Sequence, residues 1–477
     1  MKNSLAAVWQ RKKHWIVEMS LVVMIFILSA AVLFDRFSGQ KMLIVDNGWH
    51  TLILPYAGMI LGILPFFFLL VQAVLVCFYK PVTEWKDGMP LPGCTVIVPA
   101  YNEGEHVAYT LRSLLKSDYP KDKLEIIAVN DGSKDDTWNW IKLAAGESDG
   151  LIKAINLEKN GGKKHALYRG FHEAKHELVL TIDSDSIVRP DTISKLILPF
   201  SDPKVAVSAG IVRVRNLNQG FIPRILDVCF VFSCDFMRSA QSVIGAVLCS
   251  PGAISGYRKS ALLPLLDEWL NQTFLGEPSN IGEDRALTSL LLRNGYHTVL
   301  QSNALVDTCV PTDYPQLCRT LIRWTRGDVR EGLLMIKHFF RKFDLTDMRR
   351  TVLQFNLFCQ LFGLLMAFLI VPCMLYTFIA YSHNLPFIIS YTFVTTWMWA
   401  TIPAVLYARR ETPLKAIWAF IYSTFSLLAL SWVCIYSWFT MKNSNWLTRD
   451  ISSKENETDV GDGTLNYNSG QCQRPPR

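Results

Sequence analysis

The sequence predicts an α/β domain, a sheet of strands alternating with helices, held between α-helical membrane segments. Two patterns and one ratio predict it. Apolar, β-branched runs alternate with helical patterns across residues 94–182, the signature of a parallel sheet crossed by helices. Stretches with little or no charge, each long enough to cross a bilayer, lie on both sides of that region. Apolar residues make up 50% of the 477-residue chain and charged residues only 19%. That balance is too oily for an ordinary soluble chain and too charged for a pure membrane bundle.

Residues 1–14 form a basic start that ends in Arg11, Lys12 and Lys13. Residues 15–79 are expected to hold two membrane helices. The first is WIVEMSLVVMIFILSAAVLF (15–34), with Glu18 at its edge; the second, 51–79, carries no charge. A basic start and an apolar core also suit a signal peptide. The absence of a small-x-small cleavage site and the presence of a second apolar run favour a retained helix. Residues 352–440 are expected to hold three more membrane helices, over 352–381, 385–407 and 416–440. Lysine and arginine in the short connections place the N-terminus, the middle domain and the Arg409–Lys415 loop in the cytoplasm. Five crossings then put the chain end on the far side. Residues 442–477 are polar, rich in Asn, Ser and Gly, and read as a disordered tail. A net charge of +7, largely beside the apolar segments, suits a lipid bilayer rather than nucleic acid. The 11 cysteines include no C-x-x-C pair, so no disulfide framework or zinc site is implied and a reducing compartment fits.

Between these segments lies a domain spanning residues 85–345. CTVIV (94–98) is a first strand and stops at Pro99-Ala100-Tyr101-Asn102-Glu103-Gly104; a helical pattern runs on to Leu115. LEIIAV (124–129) is a second and stops at Asn130-Asp131-Gly132-Ser133, with Asp135 or Asp136 placed to cap the next helix. A third strand covers 151–157, after which Asn160-Gly161-Gly162-Lys163-Lys164 opens a helix. A fourth covers 177–182 and ends at Asp183-Ser184-Asp185. In open parallel sheets ligands bind at the carboxyl ends of strands, and each of these strands ends in polar residues. There is no G-x-G-x-x-G fingerprint and no G-x-x-x-x-G-K-[ST] loop, which argues against dinucleotide and P-loop ATP chemistry.

Each candidate has a plain structural reading beside the functional one. Two carboxylates one residue apart at a strand end, Asp183 and Asp185, suit a hard divalent cation whose shell is completed by diphosphate oxygens; the plain reading is a solvated turn. Asp131 suits a nucleobase N–H, or simply a turn. Lys163 and Lys164 follow two glycines at a helix start, a natural anion site, or they form a solvated basic surface. Glu283 and Asp284 stand on the first turn of a helix, where they complement its dipole or supply a general base to an attacking sugar hydroxyl. In TLIRWTR (320–326), Arg323 suits a phosphate and Trp324 a sugar or base ring, or the two are an interfacial pair. GDVREGLLMIKHFFRKF (327–343) places Val329, Leu333, Ile336 and Phe340 on one stripe, with Arg330, Lys337, Arg341 and Lys342 elsewhere. That suits a helix lying in the membrane interface or, failing that, one buried in the domain. Residues 223–244 are similar but less clearly amphipathic.

Taken in order, VPAYNEG, VNDGS, NGGKKHAL, TIDSDS, GEDRALT and RW resemble the family 2 membrane glycosyltransferases, over about residues 92–345 with membrane segments on both sides. Within them the chain looks most like the hyaluronan synthases and their chitin-oligomer-synthase relatives, through MRSAQSVIGAVLCSPGAISGYR (237–258) and NQTFLGEPSNIGEDRALT (271–288). The resemblance implies a cytosolic GT-A, Rossmann-like domain in a multi-pass protein of the plasma (inner) membrane. It implies that Tyr101, Glu103, Asp131, Lys163, Asp183 and Arg323 bind the UDP-sugar, that Asp185 coordinates Mg²⁺ or Mn²⁺, and that Asp284 is the catalytic base. Glu283, Trp324 and Cys249 fall to the acceptor site, with Cys249 at the neck through which a growing polysaccharide leaves. Hyaluronan synthesis from UDP-GlcNAc and UDP-glucuronate is the function this implies. The alternatives are a chitin-like or poly-GlcNAc synthase using UDP-GlcNAc alone, a non-processive transferase acting on a lipid or short acceptor, and a catalytically dead nucleotide-binding subunit. Three positions depart from the family pattern: Thr320 stands in the Gln place of Q-x-x-R-W, Glu283 replaces an Asp in G-D-D-R, and C-S-G-P becomes Cys249-Ser250-Pro251-Gly252.

Overall fold

The computed structural model describes residues 67–85, 90–339, 348–380, 382 and 385–443. The basic start, the first expected membrane helix and the tail beyond Asn443 lie outside the described residues, as do Phe340, Arg341 and Lys342.

The four expected strands form within a residue or two of their expected bounds: β1 (Cys94–Ala100), β2 (Leu124–Asn130), β3 (Ile152–Asn156) and β4 (Leu178–Ile182). β1 pairs in parallel with β2 and with β4, and β2 in parallel with β3. β1, β2 and β4 are buried along their whole length, which explains their continuous apolar runs. Successive side chains point to opposite faces. Val96, Ile126 and Leu180 face a layer formed by helices α1 (His106–Leu115) and α2 (Thr137–Gly146). Ile97, Ile127 and Val179 face α3 (Lys163–Glu173) on the other side. A Cβ on Gly170 of α3 would come within 2.6 Å of Ile97, so that glycine lets the helix lie close on the sheet.

The sheet has eight strands: β5 (Ser186–Val188), β6 (Val205–Val214), β7 (Ile254–Arg258) and β10 (His297–Thr308) join the first four in the order β3-β2-β1-β4-β7-β6-β10-β5, and it is not wholly parallel as expected. β6 runs with β10, but β7 is antiparallel to both β4 and β6, and β5 is antiparallel to β10. A parallel neighbour needs a connection that crosses back over the sheet. After β6 the chain instead forms a helical segment over 221–243, here α4, interrupted by a π-helical stretch over Phe232–Arg238. Ile254, the first residue of β7, pairs with Ile182, the last of β4, so the chain enters β7 from the strand-end side and runs back. This return places residues 249–253 beside Asp183.

Helix α5 (Glu283–Arg293) precedes β10, and α6 (Tyr314–Phe339) follows it as one continuous 26-residue helix. The interface stripe expected over 327–343 is divided within α6. Val329 and Met335 are buried and Leu333 is exposed, while Arg330 turns inward and is 1% exposed. Arg330 donates to the Met441 carbonyl, which draws that face of α6 into the protein. α7 (Met348–Ala380) and α8 (Leu385–Arg410) come next, then a last helical segment over Pro413–Phe439, here α9. Each of these three contains a stretch long and apolar enough to cross a membrane. A shorter apolar helix, Phe67–Phe78, is the described part of the second expected span. α9 touches the α/β domain at both ends: Trp418 lies 5.9 Å from Phe221 of α4, and Arg326 of α6 donates to Thr440 at 2.8 Å. The end of α9 thus lies beside α6 and the domain. Among the described cysteines, eight carry free thiols.

Candidate active site

The strand ends, the first turns of α3 and α5, and one face of α6 enclose a cleft of about 990 Å³. Tyr101, Asp131, Asp183 and Asp185 bring β1, β2 and β4 to it. Lys163 enters from α3, Glu283 and Asp284 from α5, Arg323 and Trp324 from α6, and Cys249 from the loop before β7. The structure thus gathers residues spread over more than 200 positions of sequence. Of the expected set, only Glu103 is not on the lining; its backbone N–H donates to Thr137 Oγ1 at 2.8 Å in the loop beside the cleft.

Local chemistry fixes each group. Asp131 is 2% exposed, and its Oδ1 accepts the Gly161 N–H at 3.0 Å, tying the end of β2 to the glycine turn before α3. Gly132 is required there: its φ is +64° and a Cβ would meet the Asn160 nitrogen at 2.6 Å. Asp135, not Asp136, accepts the Thr137 N–H at the start of α2, at 3.1 Å. The two lysines of the turn part company. Lys163 Nζ lies 2.5 Å from Asp183 Oδ1 and 3.0 Å from Glu283 Oε1. Lys164 is 3% exposed, points away behind the cleft and donates to the Ser279 carbonyl at 3.1 Å. Neither forms a solvated basic surface. Burial lowers the Lys164 amine to about 8. Burial acts the same way on Lys163, but Asp183 and Glu283 outweigh it and hold that amine charged.

Asp284 is held from two sides. Its Oδ2 accepts the Gly252 N–H at 2.9 Å and its Oδ1 the Arg285 N–H at 2.7 Å. A Cβ on Gly252 would stand 3.0 Å from Lys163 Nζ and 3.3 Å from Asp284 Oδ2, so glycine is what lets the loop reach both. Enclosure and the neighbouring Glu283 push the Asp284 carboxyl up to about 6, against the pull of Lys163, the Arg285 N–H and Arg323. A carboxylate tuned to that range suits a general base. α5 meets α6 at a pair of glycines, where a Cβ on Gly282 would lie 3.3 Å from Gly327 Cα, and Arg285 pairs with Asp328 across the junction. That close approach places Arg323 and Trp324 on the cleft with Asp284. Thr320 lines the same face, and Trp324 packs 5.9 Å from Phe230. Burial pushes the Cys249 thiol up to about 12, so it is a neutral group, not a nucleophile.

No three metal-ligating side chains cluster among the described residues. Asp183 is engaged by Lys163, and Asp185 lines the cleft two residues on. This donor set fits a cation held through one or two carboxylates with the rest of its shell from substrate phosphates, the usual binding of Mg²⁺. Among the lining residues to which the sequence reading gave no role of their own are Gly252 and Arg238. Both lie in the 237–258 stretch, but they act through backbone and neutral contacts that no charge pattern signals.

Residues 95–265 match the family model described as glycosyl transferase family 2. An N-acetylglucosaminyltransferase of Mesorhizobium japonicum is 32% identical over 379 residues, covering 79% of this chain and 86% of that one. Another, from Azorhizobium caulinodans, is 30% identical over 370 residues, covering 77% and 90%. Among solved structures, a mannosyltransferase of Pyrobaculum calidifontis in complex with GDP-Man and Mn²⁺ matches with a TM-score of 0.51 and 19% identity, covering 80% of this chain and 94% of that one. That likeness is one of fold, the GT-A architecture.

Proposed function

This chain belongs to glycosyl transferase family 2, and from that premise we propose that it is a membrane-bound, inverting N-acetylglucosaminyltransferase joining sugar from UDP-GlcNAc into a β-linked oligomer. The relatives carry that transferase name, which favours the GlcNAc alternative over the hyaluronan reading drawn from sequence. The observation that carries the proposal is the pairing of Asp284, tuned to about 6, with the strand-end carboxylates in one cleft. Tyr101, Asp131, Lys163, Asp183 and Arg323 hold the nucleotide sugar. Asp185 holds Mg²⁺ or Mn²⁺, which when bound supplies positive charge to the departing diphosphate. Asp284 takes the proton of the acceptor hydroxyl. The acceptor oxygen bonds to the anomeric carbon as the bond to UDP breaks, and that single displacement inverts the centre. Lys163 and Arg323 stabilise the charge that develops on UDP. Trp324 and Cys249 line the acceptor side. Glu103, off the lining, has no role in this scheme.

The test is UDP release by the full chain in lipid nanodiscs with Mg²⁺ or Mn²⁺. UDP-GlcNAc alone is expected to suffice, and a strict requirement for added UDP-glucuronate would return the reading to hyaluronan. Asp284→Asn is expected to lower transfer by about 10²-fold or more, the scale of general-base catalysis, while UDP still binds. Near-normal turnover in that variant would remove Asp284 as the base.

A further inference from the structure

We propose that Arg238 reads the chemistry of the acceptor sugar, favouring an oxygen-rich N-acetylated unit and rejecting a protonated amine. This rests on the GlcNAc-transfer reading above. Arg238 stands in the π-helical stretch of α4 and lines the cleft. Its Nε donates to the Cys249 carbonyl at 2.8 Å, and its Nη1 donates to Ser233 Oγ at 3.0 Å and Cys234 Sγ at 3.2 Å. Among the described residues no carboxylate pairs with it; the bonds it makes are to a carbonyl, a hydroxyl and a thiol. A guanidinium stays charged at any physiological pH, and the Cys249 thiol beside it, at about 12, gives no counter-charge. Arg238 is therefore a fixed cation in the cleft wall, and these bonds leave its Nη2 unused.

Its place in the cleft decides what it meets. The nucleotide side is marked by Asp131, Asp183 and Asp185. In a single displacement the acceptor approaches opposite the leaving group, which places it beyond Asp284. Arg238 is bonded to Cys249, and Gly252, three residues on, is bonded to Asp284. Three residues of chain span about 10 Å at most, so Arg238 lies within reach of a sugar whose hydroxyl is at Asp284. Phe230, Met237 and Leu248 line the cleft nearby and lower the local polarity. In such surroundings hydroxyl and acetamido oxygens gain a charge-assisted hydrogen bond, while a second cation is repelled more strongly than in water. Gln360 of α7 adds a second polar group to the lining, and its Oε1 is buried without a hydrogen-bond partner, fit to accept from a sugar hydroxyl or amide N–H.

The test uses the full chain in nanodiscs with UDP bound and β-linked GlcNAc oligomers that end in either an N-acetylated unit or a free amine. Binding is measured by calorimetry at about pH 6.5, where the amine is protonated, and transfer is measured in parallel. The unmodified protein is expected to prefer the acetylated end by about tenfold or more. Arg238→Gln should shrink that preference to about threefold or less and raise the acceptor KM, with UDP affinity unchanged. Arg238→Lys should keep the bias against the amine and lose affinity for the acetylated end, because it keeps the charge without the fork. An unchanged preference in Arg238→Gln, or equal loss of UDP and acceptor binding, overturns the inference. Failure to release UDP from UDP-GlcNAc would sink the transferase reading instead, and the binding arm would still judge Arg238.

Discussion

Lys163 stands between two carboxylates and beside a third, and that geometry controls the base. Asp183 lies 2.5 Å from its amine and Glu283 3.0 Å, while Lys163 also lowers the carboxyl of Asp284. Asp284 acts only when ionised, and its carboxyl is raised to about 6, so kcat should fall as pH drops through about 6 and level off above it. Lys163→Met removes the nearest cation and leaves Glu283 to repel ionisation. The acidic limb should then move to higher pH by about one unit or more, measured in kcat at saturating UDP-sugar. An activity loss with the limb unmoved would mean that Lys163 only binds substrate. These residues were legible because each apolar run stops abruptly at a polar one, and a strand end in a parallel sheet is where a ligand binds. Gly252 and Arg238 were not legible. One works through a missing Cβ and a backbone N–H, the other through neutral partners that only the fold brings near.

At the scale of elements, α4 joins the catalytic cleft to the apolar helices. Its residues Ser233, Met237 and Arg238 line the cleft, while Asp227, with a fully buried side chain, meets Arg410 at the end of α8 at 3.3 Å. Burial raises the Asp227 carboxyl, and Arg410 works against that rise. Arg410→Ala would remove the ion-paired cation from a buried carboxylate and leave Arg213 and Tyr407 as its remaining support, a loss of at most about 3–5 kcal/mol for a pair of this kind. Thermal unfolding in nanodiscs should show a clear drop, and adding Asp227→Asn should recover part of it, since the buried charge is then gone. A drop that Asp227→Asn leaves unchanged would place the cost in lost Arg410 packing. The fold was legible where local pattern decides it: β1 to β4 and their helices follow from runs and turns alone. β7 was not. ISGYR is a short run broken by Gly256, and its direction follows from α4 staying at the strand-end side of the sheet. The same tertiary effect turned Arg330 inward, because the end of α9 supplies a carbonyl that the α6 sequence does not contain.

For the molecule as a whole, the question is the side on which the chain end lies. Counting apolar runs gives five crossings and puts the segment after the last one opposite the catalytic domain. From packing we propose the same side as the domain. α9 begins against α4, where Arg224 lies 5.2 Å from the Trp418 ring, and then follows α6. Trp432 donates to Tyr314 at 3.0 Å, Val433 packs on Cys318 and Ile322, and Arg326 and Arg330 bind Thr440 and Met441. Lys442 then reaches Glu277 of the small β8–β9 hairpin (Thr273–Phe274 and Glu277–Pro278) at 3.5 Å. Arg326 and Arg330, each 1% exposed, would lose their Thr440 and Met441 hydrogen bonds if α9 swung away to the far side, and a hydrogen bond to a charged group is worth about 1.5–3 kcal/mol. The hydropathy of α9 is therefore satisfied along the domain surface as well as by lipid, which a window of sequence cannot distinguish. Lys442→Cys should react with a membrane-impermeant maleimide from the same face of sealed vesicles as Lys142→Cys, an exposed site on α2, with the unmodified protein as background. Labelling of the two from opposite faces would restore the five-crossing topology and require α9 to leave α6 in the membrane.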